Sequence, residues 1–144
     1  MKIYVAGPMR GYPQFNFPAF DRACAFLREL GHIPLGPQEF DRMCGVNEKV
    51  EGYIDIANCD IKNFMARDLQ LIILEADAVM VIPGWRTSKG ALTEVCLART
   101  IGLPVYDHSM HELDVYLIQP YTRRAKWPSV SRTAGPAEIS ALVQ

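Results

Sequence analysis

Ala78-Val79-Met80-Val81-Ile82, followed at once by Pro83-Gly84, is the most strongly strand-like stretch of the chain. Five consecutive apolar residues stopped by turn formers mark a strand covered on both faces, because a strand with one wet face alternates apolar with polar. Ile3-Tyr4-Val5-Ala6 before Gly7-Pro8 repeats the pattern near the start of the chain. Helical periodicity lies between and after these runs. Asn16 suits a cap and Pro18 a first turn, and Phe20, Cys24, Leu27 and Leu30 recur at helical spacing until Gly31. A short strand is expected over His32 to Leu35, and 36–60 is an irregular excursion with room for one short helix. Ile61 to Ala76 reads as a second helix. Ser88 caps a third that runs to about Ile101, and Gly102 and Pro104 punctuate its end around the strand Leu103 to Tyr106.

Strand and helix thus alternate. That order predicts an α/β protein: a three-layer, doubly wound parallel sheet, flavodoxin/Rossmann-like, with right-handed crossovers. In such sheets ligands bind beyond the carboxyl ends of the strands, where the strand order reverses, so the loops at 7–15 and 83–90 are the expected site walls. A chain of 144 residues, 49% of them apolar, suits one core. The expected division is a catalytic domain over 1–110 and a basic, aromatic extension over 111–144.

Fifteen basic and sixteen acidic residues leave a net charge of −1, which gives no pull toward polymeric nucleic acid or an anionic membrane. No apolar run approaches the ~20 residues of a membrane helix, and the first strand follows the initial Met too closely for a signal peptide. A cytoplasmic protein is expected. Cys24, Cys44, Cys59 and Cys96 lack CxxC spacing and read as reduced thiols. His108 and His111 have no acidic or thiol companions at metal-site spacing, so no metal is expected.

Two carboxylates stand where a purely structural sequence would place apolar residues. On the 61–76 helix Asp68 falls amid Ile61, Phe64, Met65 and Ile72; on the 88–101 helix Glu94 falls among Gly90, Ala91, Leu97, Ala98 and Ile101. A buried carboxylate needs a partner or a function, because desolvation of its charge costs several kcal/mol. Gly90 and Ala91 leave room for a ligand, and Ser88 with the first helical amides suits an anion. Opposite them, Gly7-Pro8-Met9-Arg10-Gly11 offers two glycines for close backbone approach and a guanidinium that grips phosphate. Walker and Gly-x-Gly-x-x-Gly motifs are absent, which argues against triphosphate hydrolysis and dinucleotide binding.

Ile-Tyr-Val-Ala-Gly-Pro-Met-Arg-Gly at 3–11, Arg67-Asp68-Leu69, and Ser88-Lys89-Gly90-Ala91-Leu92-Thr93-Glu94 together resemble the nucleoside 2-deoxyribosyltransferase superfamily over residues 1–107. The resemblance is nearest to the branch of (deoxy)nucleoside 5′-monophosphate N-glycosidases. It implies Glu94 as nucleophile at the anomeric carbon, Tyr4 holding that carboxylate, and Asp68 binding the nucleoside and supporting departure of the base. It further implies substrate contacts from Gly7, Met9, Arg10, Gly11, Ser88 and Gly90, a small nucleotide or nucleoside as ligand, no cofactor, and a homodimer or higher homo-oligomer. Serine at 88, where members acting on free nucleosides carry aspartate, favours a 5′-monophosphate, since a hydroxyl donates to a phosphate that an aspartate would repel.

Other readings stay open. A transferase exchanging bases on free nucleosides keeps the same chemistry, and a non-catalytic nucleotide sensor keeps the same pocket. The phosphoribohydrolases with a Pro-Gly-Gly-x-Gly-Thr-x-x-Glu loop are echoed by Pro83-Gly84 and Glu94 but lack support from a glycine-threonine pair. Phe15, Phe17, Tyr53 and Trp85 are candidates for stacking on a base, though core filling is their commoner use. Arg123, Arg124, Lys126 and Arg132, with Tyr121 and Trp127, form an acid-free basic stretch that suits a solvated surface or an arm reaching a neighbouring subunit's site.

Overall fold

In the computed structural model, residues 1–49 and 61–114 are described. Strand β1 (Lys2–Ala6) is followed by a 3-10 turn over Pro13–Asn16 and helix α1 (Phe17–Glu29). Then come β2 (Ile33–Leu35), α2 (Pro37–Met43), α3 (Ile61–Leu74), β3 (Ala78–Val81), a second 3-10 turn over Trp85–Thr87, α4 (Lys89–Thr100) and β4 (Val105–Tyr106). The strands form one sheet in the order β2-β1-β3-β4, every pair parallel. This is the doubly wound, flavodoxin-like order expected from the alternation of elements.

Alternation along the strands divides the core in two. Ile3, Val5, Ala78, Met80 and Ile82 face Phe20, Ala23, Cys24 and Leu27 of α1. Tyr4, Ala6, Val79 and Val81 face the opposite layer, with Ile72 of α3 and Ala91, Val95 and Ala98 of α4. The chain steps from β1 outward to β2 and then back across to β3 and β4, so right-handed crossovers place α1 on one face and α3 and α4 on the other. The pleat therefore aims the Tyr4 side chain at the α3/α4 layer, while its neighbours Ile3 and Val5 point away from it.

Several expected boundaries move for local reasons. Asn16 has left-handed backbone (φ 60°), and its side-chain amide donates to the Pro8 carbonyl at 2.8 Å instead of capping α1. Leu103 is not in the last strand because its amide closes the end of α4 on the Ala98 carbonyl. The amide of His32 likewise bonds the Leu27 carbonyl, so β2 starts one residue later. Leu30, Ile61 and Ile101 lie on the expected stripes but at helix ends, and they are exposed. Ser88 does cap α4, accepting from the Ala91 amide at 3.3 Å. Cys24, Cys44 and Cys96 are free thiols, whereas Cys59, Tyr53 and the 115–144 tail lie outside the described residues. Among the described residues no helix is long and apolar enough to cross a membrane.

Candidate active site

Burial of Glu94 and Asp68 is the first fact of the site: only 6% and 8% of their surface remains exposed. Both sit on helix faces turned toward the sheet, as the helical wheels require. The Tyr4 hydroxyl, fully enclosed, donates to Glu94 Oε1 at 2.9 Å. Burial and the two adjacent carboxylates hold the Tyr4 phenol well above its ordinary value, so it stays protonated and remains a donor. No described residue donates a hydrogen bond to Glu94 Oε2, which leaves one carboxylate oxygen uncommitted.

Asp68 has a different partner. Arg67, the preceding residue, wraps back so that Nε and Nη2 both donate to Asp68 Oδ1, at 2.8 and 2.6 Å. The same guanidinium donates from Nη1 to Asp41 Oδ1 at 2.8 Å. It stands over the rings of Phe64 and Phe40, 5.3 and 5.8 Å from their centroids. Three buried carboxylates and one half-buried cation thus share the space between α2, α3 and α4. Neither Asp41 nor Arg67 was among the sequence candidates; Arg67 stood beside one of them, and Asp41 lay in the irregular excursion without a periodic signal.

The electrostatics follow from that inventory. Burial pushes Asp68 up to about 6, against the pull of Arg67, and Asp41 adds to the rise. Glu94 is pushed up to about 8, first by burial and then by the charge of Asp68, while the Tyr4 hydrogen bond and Arg67 draw it back. Asp41 is raised by burial as well. Two neighbouring carboxyls with raised values share one proton between about 6 and 8, held mainly by Glu94, the group with the higher value.

The two expected walls meet. Gly84, in left-handed conformation (φ 87°), lies so near Tyr12 and Pro8 that a β-carbon there would come within 2.8 Å of the Tyr12 hydroxyl oxygen. Arg10 is exposed and makes no hydrogen bond or ion pair among the described residues. Ser88 accepts from the Ala91 amide and retains its own hydroxyl proton to give. Gly90 opens next to Met65 and Ser88, at ordinary contact distances of 3.8 and 3.9 Å from a would-be β-carbon. Gly11 has open space around it.

Other candidates have different reasons for being where they are. Gly7 does not make room for a ligand: a β-carbon there would run into the Ile82 side chain and come within 3.2 Å of Phe20. The side chain of Met9 packs on the α1-side core, leaving only its backbone to the loop. Phe17 and Trp85 are core residues, and Arg86 stacks 4.5 Å over the Trp85 ring. Phe15 is half-buried with its ring 6.1 Å from that of Phe17. An open depression of about 360 Å³ beyond β3 and β4, lined by residues 81–86, Asp107 and His108, contains none of the buried carboxylates.

A buried tyrosine-held glutamate, with a second raised carboxyl beside it at the carboxyl end of a 2-1-3-4 parallel sheet, defines a class of small α/β site. A solved structure similar to this chain is the 2-deoxyribosyltransferase of the psychrotolerant bacterium Bacillus psychrosaccharolyticus, described as a biocatalyst for the synthesis of antiviral and antitumoral nucleosides. It is similar to this chain at 25% identity with a TM-score of 0.52, over 74% of this chain and 71% of that one, so the two share the deoxyribosyltransferase fold. No curated protein matches the chain. Residues 1–107 match the family described as Domain of unknown function (DUF4406), and the chain belongs to that family.

Proposed function

We propose that this enzyme hydrolyses the N-glycosidic bond of a (deoxy)nucleoside 5′-monophosphate through a glycosyl ester on Glu94, releasing free base and sugar 5-phosphate. The observation that carries this reading is the buried 2.9 Å hydrogen bond from Tyr4 to Glu94 beside Asp68, on a fold shared with a 2-deoxyribosyltransferase. One oxygen of Glu94 attacks C1′, and the electron pair of the C1′–N bond leaves with the base, which takes up a proton from Asp68. Water then attacks the same carbon. Its oxygen joins C1′, the ester bond returns its electrons to Glu94, and the remaining proton restores Asp68. Two displacements at one carbon give retention, as in carboxylate-based retaining glycosidases.

Arg10 and Ser88 support the monophosphate over the free nucleoside, since one offers a guanidinium unpaired among the described residues and the other a hydroxyl donor at a helix N-terminus. Incubation of the protein with a panel of nucleosides and nucleoside 5′-monophosphates, followed by chromatography, tests the reading. Release of free base from monophosphates is expected; no release from any of them would remove it. The activity named for the solved neighbour favours a second reading, transfer of deoxyribose between bases. A second free base in the incubation then yields a new nucleoside, which hydrolysis alone does not.

The extension over 111–144 belongs to the same proposal. In a homodimer or larger homo-oligomer its basic stretch reaches the phosphate of an adjoining site. Joint substitution of Arg123 and Arg124 by Ala then raises KM for the monophosphate, and an unchanged KM would separate the extension from the site.

A further inference from the structure

Helix α2 is seven residues long, yet two adjacent side chains on it tie together the helices on either side of the sheet. Arg42 forms a two-pronged pair with Asp21 of α1, at 2.7 and 2.8 Å, and also holds Glu48. Asp41 turns the other way and takes Nη1 of Arg67 on α3. At 7% exposure Asp41 is as buried as the carboxylates of the candidate site, although nothing in the proposed chemistry uses it. Burial of a third carboxylate beside two others is costly and adds to their mutual repulsion, so its retention calls for a compensating gain.

The gain is the orientation of Arg67. Two of its nitrogens already bind Asp68, and the third direction of the guanidinium fork is taken by Asp41. With the guanidinium also standing over the rings of Phe64 and Phe40, the group is held by contacts on several sides. We infer that Asp41 is a positioning residue: its carboxylate anchors the Arg67 guanidinium against Asp68, so that helix α2 governs how charge and proton are shared between Asp68 and Glu94. This deepens the glycosidase reading and rests on it for its catalytic consequence.

Among the described residues, the groups bonded to the pair or shifting its titration come from four elements. Arg67 and Asp68 come from α3, Glu94 from α4, Tyr4 from β1 and Asp41 from α2, while Glu39 and Arg42 of α2 are turned to Arg28 and to Asp21 and Glu48. Arg67 touches Asp68 directly, so its pull on that carboxyl exceeds the push from Asp41 behind it. Two substitutions then have opposite signs. Asn at 41 keeps an acceptor for Nη1 and removes a negative charge, which lowers Asp68. Ala at 41 also releases the guanidinium, and the loss of its pull outweighs the loss of the push, which raises Asp68.

The test is a carbon-13 carboxyl NMR titration of the full chain as wild type, Asp41→Asn and Asp41→Ala, with thermal unfolding to confirm that each is folded. Base release from the preferred nucleoside 5′-monophosphate is followed over the same pH range. The expected result is a displacement of the Asp68 midpoint by about one pH unit, downward in the Asn variant and upward in the Ala variant, with the lower limb of the activity profile following. An Asp68 midpoint that stays put, or that moves the same way in both folded variants, overturns the positioning role. Because the titration needs no substrate, opposite displacements in a protein that releases no base would leave the positioning intact and sink only the glycosidase reading.

Discussion

The Tyr4 hydroxyl and Glu94 Oε1 lie 2.9 Å apart across 90 residues of chain, inside the core. That contact joins the first strand of the sheet to a helix that follows the third, and it exists because β1 and β3 are neighbours while the pleat turns residue 4 toward α4. A phenol spends its only proton there. The bond orients one carboxylate oxygen and stabilises the ionised form of Glu94, the form that the proposed mechanism uses as nucleophile.

Tyr4→Phe removes that donor and nothing else of bulk. A hydrogen bond to a charged, buried acceptor is worth about 1.5–3 kcal/mol, so kcat is expected to fall roughly ten- to hundredfold, and the buried acceptor left without its donor lowers Tm as well. The same variant should need a higher pH for activity, because the Tyr4 bond draws the Glu94 value down. Steady-state kinetics over a pH series checks both statements.

Asp68 and Glu94 set the pH dependence. With Asp68 pushed up to about 6 and Glu94 up to about 8, the pair carries one shared proton between those values. With the higher value on Glu94, that proton rests mainly on Glu94, and the proposed chemistry runs through the minority form of the singly protonated pair, in which Glu94 is ionised and Asp68 holds the proton. The expected kcat/KM profile is a bell that rises near the lower value and falls near the upper. Asp68→Asn loses the donor, with a drop on the order of 10²-fold or more. Its profile should become a single rising limb with its midpoint below the value of about 8 that Glu94 has beside an ionised Asp68, since the charge that raised Glu94 is gone.

How much of this was legible in the sequence depended on periodicity. The inward faces of Asp68 and Glu94 follow from helical wheels, and the parallel, doubly wound sheet from strand and helix alternating, whereas the strand order β2-β1-β3-β4 comes from the structure. Asp41 was hidden because α2 is too short for a stripe to show and the residue beside it, Arg42, is charged. Asn16 suits a cap in sequence, but its amide is drawn to the Pro8 carbonyl, a contact that local propensity cannot foresee. Gly7 looked like a ligand-side glycine because glycine absence of bulk has the same signature whether a substrate or an Ile82 side chain fills the space.

Gly7 and Gly90 therefore separate by measurement. Gly7→Ala forces a methyl into Ile82 and Phe20, and overpacking of this kind costs about 1–3 kcal/mol. Gly90→Ala meets only ordinary contacts, so folding is preserved. Thermal unfolding should show a lowered Tm for the first and a wild-type Tm for the second, with any rise in KM confined to the second among equally folded proteins.

Arg10 has no partner among the described residues and stands on the loop facing Gly84. Arg10→Ala is expected to raise KM for a nucleoside 5′-monophosphate about tenfold, the loss of one or two charge-assisted hydrogen bonds. KM for the corresponding free nucleoside should stay the same. Equal effects on both substrates would detach Arg10 from the phosphate.

The central claim is a covalent bond between Glu94 and the sugar, and the sequence offers a direct reading of it. Cleavage after Lys89 and Arg99 releases Gly90-Ala91-Leu92-Thr93-Glu94-Val95-Cys96-Leu97-Ala98-Arg99, a peptide with Glu94 as its sole side-chain carboxyl. Protein quenched in acid during turnover, digested and weighed by mass spectrometry should carry the mass of the sugar phosphate on this peptide, with fragmentation placing it at Glu94. Base release without any such adduct, or undiminished release by Glu94→Ala, would contradict the account.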